Sequence, residues 1–403
     1  MCAPGNAVAA RKVQLATIFA EHGEAYRKNH KLPLQHRKVL FAIEACRSSN
    51  LGSHVEVCER CAYQRITYNS CRNRHCPKCQ KLNREKWVEK LSCTLLPVRY
   101  FHIVFTLPSE LNRLCLVNQK ILYDLLFGAA SQTILSLAGD PKHLGAQTGL
   151  VALLHTWGQT LTEHPHLHTM VPAGGWSEWN GYWKNSRKKF FIPVKVLSRM
   201  FRGKYLAGLK AAYLKGILKF EGTTKELQSK KAFMLLLDSL YQKDWVVYTK
   251  PPFKSTTGIV KYLGNYSHRV AISNERIEQM HDDKITFGYK DYKAGGQRKW
   301  MTLDSEEFIR RFLLHVLPAG YCKIRYYGIY ASRNRSVALK QCKQAMGIAV
   351  QKSKFEGLLW QEVLKLVTGF DVTKCPGCKN GIMLPAGALQ PERAPPKDPP
   401  LVL

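Results

Sequence analysis

Two histidines and two tyrosines have the residue types and spacings that suit metal-assisted attack on a phosphate. His166 and His168 lie in a strand-like segment, where alternate side chains share a face, so both imidazoles point the same way while Leu167 points into the core. Tyr262 and Tyr266 are four residues apart in a helical segment, so their hydroxyls lie on one face about one turn apart. These residues predict an enzyme with a catalytic divalent metal and a tyrosine nucleophile.

Each pair also has a simpler interpretation when it is taken alone. A His-x-His pair fits two core or surface histidines, and a Tyr-x-x-x-Tyr pair fits an aromatic stripe that faces the core. The polar neighbours Lys261, Asn265 and His268 favour the nucleophile interpretation. The run from His164 to His168 is also similar to the motif of histidine-triad nucleotide hydrolases, but such small domains would explain neither the cysteines nor the charge.

The strand before the histidines should supply a third metal ligand. Trp157, Gln159 and Leu161 share one face of an extended segment, and Gln159 lies close to the turn. We therefore expect Gln159 to be the third ligand, with His155 and His164 as the next candidates.

A second chemical region is the cysteine-rich segment from residue 46 to residue 79. Cys58 with Cys61, and Cys76 with Cys79, form two Cys-x-x-Cys pairs that can present four thiolates to one Zn²⁺. A second zinc ion could be held by the remaining ligand types of this segment, which are Cys46, His54, Cys71 and His75. We expect one or two structural zinc ions here.

A further Cys-x-x-Cys pair, Cys375 and Cys378, has no second pair near it in the sequence. Metal binding, redox chemistry and an incidental pair all stay open for it. The odd total of 13 cysteines is a poor disulfide framework, which favours metal sites for the clustered ones.

The net charge points to a polyanionic partner. Lys and Arg number 61 against 29 Asp and Glu, which gives +32, and release of phosphate counterions draws such a protein onto nucleic acid. Arg72, Arg74 and Lys78 lie among the zinc ligands and Arg269 follows the tyrosines, so we expect all four to contact DNA. The sequence has no signal-peptide core and no apolar run long enough to span a membrane, so we expect a soluble cytoplasmic protein without a membrane partner.

Six stretches, in this order, resemble rolling-circle insertion-sequence transposases of the two-tyrosine HUH superfamily that carry an N-terminal zinc-binding domain. They are CERC at 58–61, NSCRNRHCPKC at 69–79, FHIVFTLP at 101–108, GQTLTEHPHLH with its VPAGG tail at 158–175, YLGNYSHRVAIS at 262–273 and IRYYGIYA at 324–331. Each stretch alone is moderate evidence for the family, whereas all six in this order are highly specific for it.

The resemblance implies a fold and a reaction. The fold would be α+β, with a central antiparallel sheet that carries His166 and His168 on a central strand and the tyrosine helix beside it. His166 and His168 would bind Mg²⁺ or Mn²⁺, and Tyr262 and Tyr266 would be the nucleophile pair that acts on single-stranded DNA. Our hypothesis for the reaction is nicking and rejoining at transposon ends and at the target through a 5′-phosphotyrosine; we favour Tyr262 for the first attack, although the sequence leaves the order of the two tyrosines open. Because the sequence has no Walker A motif, strand unwinding would come from a host helicase or from DNA supercoiling, and the bound protein would be associated with the bacterial nucleoid.

Three regions follow from these assignments. Residues 1–95 should form a helical and zinc-binding DNA-binding domain, and residues 96–345 the HUH nuclease domain. Residues 346–403 should comprise a helix, the Cys375–Cys378 knuckle and a Pro-rich tail that is disordered after Cys378. Within the nuclease region we expect strands over 99–107, 149–157 and 166–172 and a helix over 257–269.

Two other functions share most of these features. A rolling-circle replication initiator or relaxase-like protein would use the same chemistry at a different DNA site. A non-catalytic zinc-dependent DNA-binding regulator would bind tightly without nicking in any divalent metal.

Overall fold

The computed structural model describes residues 13–179, 181–186, 192–253, 256–267, 271–292, 294–349 and 351–396, without the side chains at 251, 252, 261 and 265–267. Across these residues the strands are β1 (Ser53–Cys58), β2 (Gln64–Tyr68), β3 (Tyr100–Thr106), β4 (Gly149–Trp157), β5 (Glu163–Pro172), β6 (Gly174–Ser177), β7 (Tyr182–Asn185), β8 (Val247–Phe253), β9 (Ile277–His281), β10 (Lys284–Asp291), β11 (Gln297–Asp304), β12 (Ile324–Gly328) and β13 (Met383–Leu389).

The helices alternate with these strands along the whole described chain. They are α1 (Leu15–Asn29), α2 (Leu34–Glu44), α3 (Gln80–Thr94), α4 (Asn112–Val117), α5 (Gln119–Gly139), α6 (Val194–Leu214), α7 (Lys230–Gln242), α8 (Thr256–Ser267), α9 (Ser305–Leu313), α10 (Ser332–Asn334), α11 (Lys340–Ala345) and α12 (Trp360–Thr368). This mixture of helices with antiparallel sheets confirms the expected α+β class.

A five-stranded sheet in the order β12-β4-β5-β3-β8 lies at the centre of the fold. All its neighbours are antiparallel, and β5 is the middle strand. The inner strands are rich in Val, Ile, Leu and Phe, so they are apolar on both faces over most of their length. Such a sheet must be covered on both faces, and helices cover both faces here.

The first face of this sheet packs on α4, α5, α6 and α7. Phe105, Leu154 and Leu167 are fully buried in that core, so Leu167 points away from the histidines as expected. Helix α5 is long and apolar enough to cross a membrane by length and composition, but 61% of its most apolar 18-residue stretch is buried in the protein. It is therefore accounted for as a core helix.

The second face of the sheet packs on α3 and α8. Tyr100, Val151 and Met170 are buried there against Leu263 of α8. Because side chains alternate along each strand, His102, His166 and His168 lie on this same face, beyond the apolar residues of their strands. The helix that carries the tyrosines thus covers one half of the face, and the histidines occupy the other half.

The N-terminal region forms a separate layer that also includes the end of the chain. Helices α1 and α2 pack on α9 and on the three-stranded sheet β11-β10-β9, and a second small sheet has the order β13-β1-β2. Strand β13 follows Cys378, so the prediction of disorder directly after Cys378 was wrong for this segment. Composition alone could not show that β1 supplies its hydrogen-bonding partner. The last residues, 397–403, lie outside the described part of the chain.

Candidate functional site

Three histidines converge at the open end of the second face. His155 of β4 lies directly opposite His166 of β5, and His168 is two residues further along β5. One ring nitrogen from each of the three lies within 4.8 Å of the others. His155 and His168 are buried and His166 is half-buried, so the cluster has a protein wall behind it and an opening in front.

The hydrogen bonds of His166 and His168 direct a ring nitrogen of each into the cluster. His166 Nδ1 lies 2.6 Å from the carbonyl oxygen of His164, which can only accept, so Nδ1 carries the proton and Nε2 has a lone pair. His168 Nδ1 lies 2.9 Å from His102 Nε2, and His168 Nε2 lies 3.1 Å from His166 Nε2. When His168 donates a proton to His102 through Nδ1, the lone pairs on His166 Nε2 and His168 Nε2 face each other. A bound cation would accept both lone pairs and remove their repulsion.

Burial keeps the imidazoles of His166 and His102 neutral. Loss of hydration lowers the pKa of His166 to about 4, and the neighbouring His164 adds to the effect. Burial likewise lowers the pKa of His102 to about 4, helped by the positive charge of Lys250. At neutral pH His166 therefore presents an unprotonated nitrogen to the cluster, as metal binding requires.

Tyr262 faces the same space from α8. Its ring makes an edge contact with His102, with 5.0 Å between ring centroids, and Lys250 Nζ lies 5.5 Å from the centre of the tyrosine ring. These residues, the histidine cluster and Gln159 line one cleft of about 680 Å³, which also has Tyr248, Tyr289, Lys290 and Tyr292 in its walls. The structure thus brings Tyr262 to the predicted histidine pair.

Tyr266 lies one turn further along α8, and its side chain is outside the described residues, as is the whole of Arg269. Their predicted roles as second nucleophile and DNA contact stay predictions.

The geometry favours His155 over Gln159 as the third ligand. Strand β4 ends at Trp157, so Gln159 lies in the turn, where its Oε1 accepts a 3.4 Å hydrogen bond from the backbone N–H of Lys290. Gln159 lines the cleft but is directed towards β10, whereas His155 is in the cluster. His164, the other candidate, offers its backbone carbonyl to His166.

A β-bulge in β5 separates the histidine cluster from the turn that carries Gln159. Trp157 pairs with Glu163, but His155 pairs with His166, so β5 has one extra residue between these two pairs. Counted from the Trp157–Glu163 pair without the bulge, His155 would lie opposite Pro165 instead of His166, so a pairing count that starts at the turn gives the wrong neighbour for His155. Pro165 lies within the bulge, and a proline inside a strand was the available signal.

A four-cysteine cluster in the N-terminal region has the dimensions of a zinc site. It consists of Cys46, Cys71, Cys76 and Cys79. The Sγ–Sγ distances are 3.4 Å for Cys46–Cys79 and 3.6 Å for Cys71–Cys79. The edge of a tetrahedral Zn–S₄ centre is about 3.8 Å, whereas a disulfide is about 2.05 Å long. Hydrogen bonds from Cys71 and Cys76 lower the pKa of Cys46 to about 7, which favours the thiolate.

The predicted grouping of zinc ligands was wrong. Cys76 and Cys79 combine with Cys46 and Cys71, while Cys58 and Cys61 combine with Cys375 and Cys378 at one end of the small β13-β1-β2 sheet. Sequence spacing favoured the nearest two knuckles, but β1 carries Cys58 away from Cys76.

The two histidines proposed as zinc ligands belong to neither cysteine cluster. His54 is exposed on β1. His75 is buried, and among the described residues its Nε2 has no hydrogen-bond partner. Burial together with the charge of Lys323 lowers its pKa to about 3.

The basic residues among the cysteines differ in their surroundings. Arg72 is exposed, with a backbone φ of 51°, and Lys78 is half-buried. Arg74 donates to the carbonyl oxygen of Tyr321, so it joins the zinc region to the loop before β12 instead of facing solvent.

Comparison with known proteins agrees with both sites. A sequence family described as "Transposase zinc-binding domain" matches residues 18–107, and one described as "Putative transposase" matches residues 149–337. The first range contains the Cys46 cluster; the second contains the histidine cluster and α8. No solved structure matches the chain.

Two relatives extend the match over most of the chain. The chain is 44% identical over 374 residues to "Putative transposase y4qJ" of Sinorhizobium fredii (strain NBRC 101917 / NGR234), which covers 92% of this chain and 94% of that protein. It is 27% identical over 311 residues to "Transposase for insertion sequence element IS801" of Pseudomonas savastanoi pv. phaseolicola, covering 76% and 72% respectively. The chain belongs to the insertion-sequence transposases of the IS801 type, which carry a transposase zinc-binding domain.

Proposed function

We propose that this transposase nicks and rejoins single-stranded DNA at transposon ends through a covalent 5′-phosphotyrosine, with Tyr262 as the first nucleophile. The observation that carries the proposal is the cleft in which three imidazoles converge beside Tyr262. A transposase must break and remake phosphodiester bonds. A phosphotyrosine ester conserves the energy of the broken bond, so rejoining needs no ATP.

His155, His166 and His168 are the residues that would hold a catalytic divalent ion. Three neutral nitrogen donors suit Mn²⁺ better than Mg²⁺, which prefers oxygen ligands. When bound, the ion supplies a Lewis acid for a phosphate oxygen. The hydrogen bonds of His166 to the His164 carbonyl and of His168 to His102 fix the rings that would bind it.

Tyr262 carries out the first step in this proposal. Its phenolic oxygen forms a bond to phosphorus while the bond from phosphorus to the 3′ oxygen breaks. The phenol loses its proton to water in the open cleft, and the departing 3′ oxygen gains one, which leaves a free 3′-OH. The ammonium group of Lys250, 5.5 Å from the ring centre, adds positive charge beside the attacking side chain.

Tyr266 would make the second cleavage or accept the strand during transfer. It follows Tyr262 by one helical turn in α8. Return of the 3′-OH onto a phosphotyrosine reverses the first step and rejoins the strand.

The walls of the cleft fit a single strand of DNA. Tyr248 and Tyr292 are exposed aromatic side chains on which bases can stack, and Lys250 and Lys290 supply charge for phosphates. Arg72 and Lys78 would extend the contact to the zinc region. We place the reaction in the bacterial cytoplasm at the nucleoid, with strand opening by a host helicase or by supercoiling.

A covalent-adduct assay tests the proposal. Purified protein is incubated with a single-stranded transposon-end oligonucleotide and Mn²⁺, and a DNA–protein adduct is sought on a denaturing gel. We expect the wild type to form the adduct and the Tyr262→Phe/Tyr266→Phe double variant to lose it. Tyr241→Phe, a change at an exposed tyrosine on α7, is the matched control and should retain it.

Three outcomes would contradict the proposal. An adduct in the double variant would move the nucleophile to another tyrosine of the cleft, such as Tyr248 or Tyr292. Tight DNA binding by the wild type without cleavage in Mg²⁺ or Mn²⁺ would instead support a regulator. Cleavage confined to a replication origin, with none at transposon ends, would support an initiator.

A further inference from the structure

We propose that Cys58, Cys61, Cys375 and Cys378 form a second structural zinc site that joins the two ends of the chain. The four Sγ atoms lie within 4.8 Å of one another, with 3.7 Å for both Cys58–Cys378 and Cys61–Cys375. These distances are close to the edge of a tetrahedral Zn–S₄ centre, about 3.8 Å, and far from a disulfide bond. The matched zinc-binding domain ends at residue 107, so it does not contain Cys375 or Cys378.

The two knuckles have the same backbone fold. In each, the residue after the second cysteine has a positive φ, 56° at Ala62 and 62° at Lys379. In each, that residue donates its N–H to the carbonyl of the first cysteine, at 3.2 Å and 3.0 Å. Non-glycine residues rarely adopt positive φ, and two segments 314 residues apart have adopted the same turn. A shared ligand explains why both turns hold their sulfurs in this way.

Main-chain groups around the sulfurs complete the site. The N–H of Gly381 lies 3.2 Å from Cys378 Sγ, and the N–H of Arg60 lies 3.4 Å from Cys58 Sγ. Such donors stabilise thiolates. A Cβ at Gly381 would lie 2.3 Å from Cys58 Sγ, so only glycine permits the two knuckles to approach this closely.

Apolar packing is too small to hold this region together. Its core comprises the buried residues Cys58, Cys375 and Met383, with Cys378 packed against them, so three of its four members are the proposed ligands. A region of this kind normally obtains its folding free energy from the metal.

The site would make the C-terminal segment part of the zinc-binding region. Strand β13 pairs with β1 from Cys58 opposite Met383 to Ser53 opposite Leu389. Beyond it, Arg393 forms an ion pair with Glu44 of α2. The zinc ion would therefore lock β13 onto the edge of β1, which would otherwise expose an unpaired strand.

Zinc content of the full-length protein tests this inference independently of DNA cleavage. We expect two zinc ions per chain by elemental mass spectrometry. Cys375→Ser/Cys378→Ser should retain one, and Cys93→Ser/Cys322→Ser, which changes cysteines outside both clusters, should retain two. One zinc ion in the wild type, or two in the Cys375→Ser/Cys378→Ser variant, would overturn the proposal.

Two measurements keep the test decisive if the serine variant is unstable. Cys378→His keeps a metal ligand, so it should bind two ions and change the absorption spectrum of the Co²⁺-substituted protein; an unchanged spectrum would exclude Cys378 as a ligand. Thiol titration of the wild type, denatured with a chelator and without reductant, should find all 13 cysteines free. A deficit of two or four thiols that disappears in the Cys375→Ser/Cys378→Ser variant would replace the metal site with disulfide chemistry.

Discussion

Gly264 should control the position of the tyrosine helix. It is buried in α8, two residues after Tyr262, and a Cβ at this position would lie 2.6 Å from Cγ2 of Val88 in α3. Carbon atoms pack at about 3.5–4.0 Å, so Gly264→Ala requires the two helices to separate by about 1 Å. Val88 cannot easily relieve the contact, because a β-branched side chain in a helix has one strongly preferred rotamer.

The expected consequence is a large loss of activity with a moderate loss of stability. A displacement of about 1 Å at a reacting group can lower the rate about 100-fold. Overpacking of a core typically costs about 1–3 kcal/mol. We therefore expect Gly264→Ala to form the phosphotyrosine adduct about 100-fold more slowly, with an unchanged zinc content.

Single-turnover adduct formation with Mn²⁺ measures this effect. Gly203→Ala is the matched control, since a Cβ at this helical glycine of α6 meets nothing within 4 Å and should leave the rate unchanged. Val88→Ala combined with Gly264→Ala removes the clashing methyl group and should recover most of the rate. A wild-type rate for Gly264→Ala, or no recovery in the double variant, would refute the idea that this contact positions Tyr262.

Three other predictions follow from the geometry. His155→Ala should lower the Mn²⁺ affinity measured by titration calorimetry at least about tenfold, because losing even a ligand's supporting partner costs roughly that much. Gln159→Ala should leave the Mn²⁺ affinity unchanged; if Gln159→Ala lowers the affinity and His155→Ala does not, Gln159 is the ligand. His315 is buried neutral, with a pKa lowered to about 4 by burial; protonation of this one residue should therefore weaken folding by about 2 kcal/mol from pH 7.5 to pH 5, in addition to the contributions of the other buried histidines, and chemical denaturation of His315→Gln should show a loss smaller by that amount. Gly381→Ala should reduce the zinc content measured by elemental analysis from two ions to one, because its Cβ would lie 2.3 Å from Cys58 Sγ. Gly377→Ala is the control and should keep both ions, because its Cβ would lie 3.3 Å or more from the nearest atoms, which belong to Tyr63 and Cys375.

Local periodicity was sufficient to predict the elements that carry the proposed catalytic residues. The alternation around Leu167 predicted a strand with both histidines on one face, and β5 has that arrangement. The spacing of the tyrosines predicted a helix over 257–269, and α8 spans Thr256–Ser267. These predictions succeeded because the spacing of residues along the chain alone decides which side chains share a face of a strand or of a helix.

Features that depend on pairing between distant segments were not predictable in the same way. His155 joins the cluster because β4 pairs with β5 in the register that places His155 opposite His166, and a one-residue bulge in β5 prevents that register from being counted from the turn. The partner of Cys58 is 320 residues away, so the spacing of Cys-x-x-Cys pairs could not identify it. Strand β13 forms only because β1 offers an edge, a property of the fold that is not contained in its own composition.

The zinc cluster and the tyrosine helix share one supporting element. Helix α3 begins directly after Cys79, which is its N-cap residue and a member of the Cys46 cluster. The same helix packs on α8 through the Val88–Gly264 contact. The start of α3 is therefore fixed by the cysteines, and its middle fixes the helix that carries Tyr262. Since the histidines lie on the sheet face that both helices cover, the proposed nucleophile and metal ligands are positioned by packed secondary structure, which is the arrangement that holds reacting groups most accurately.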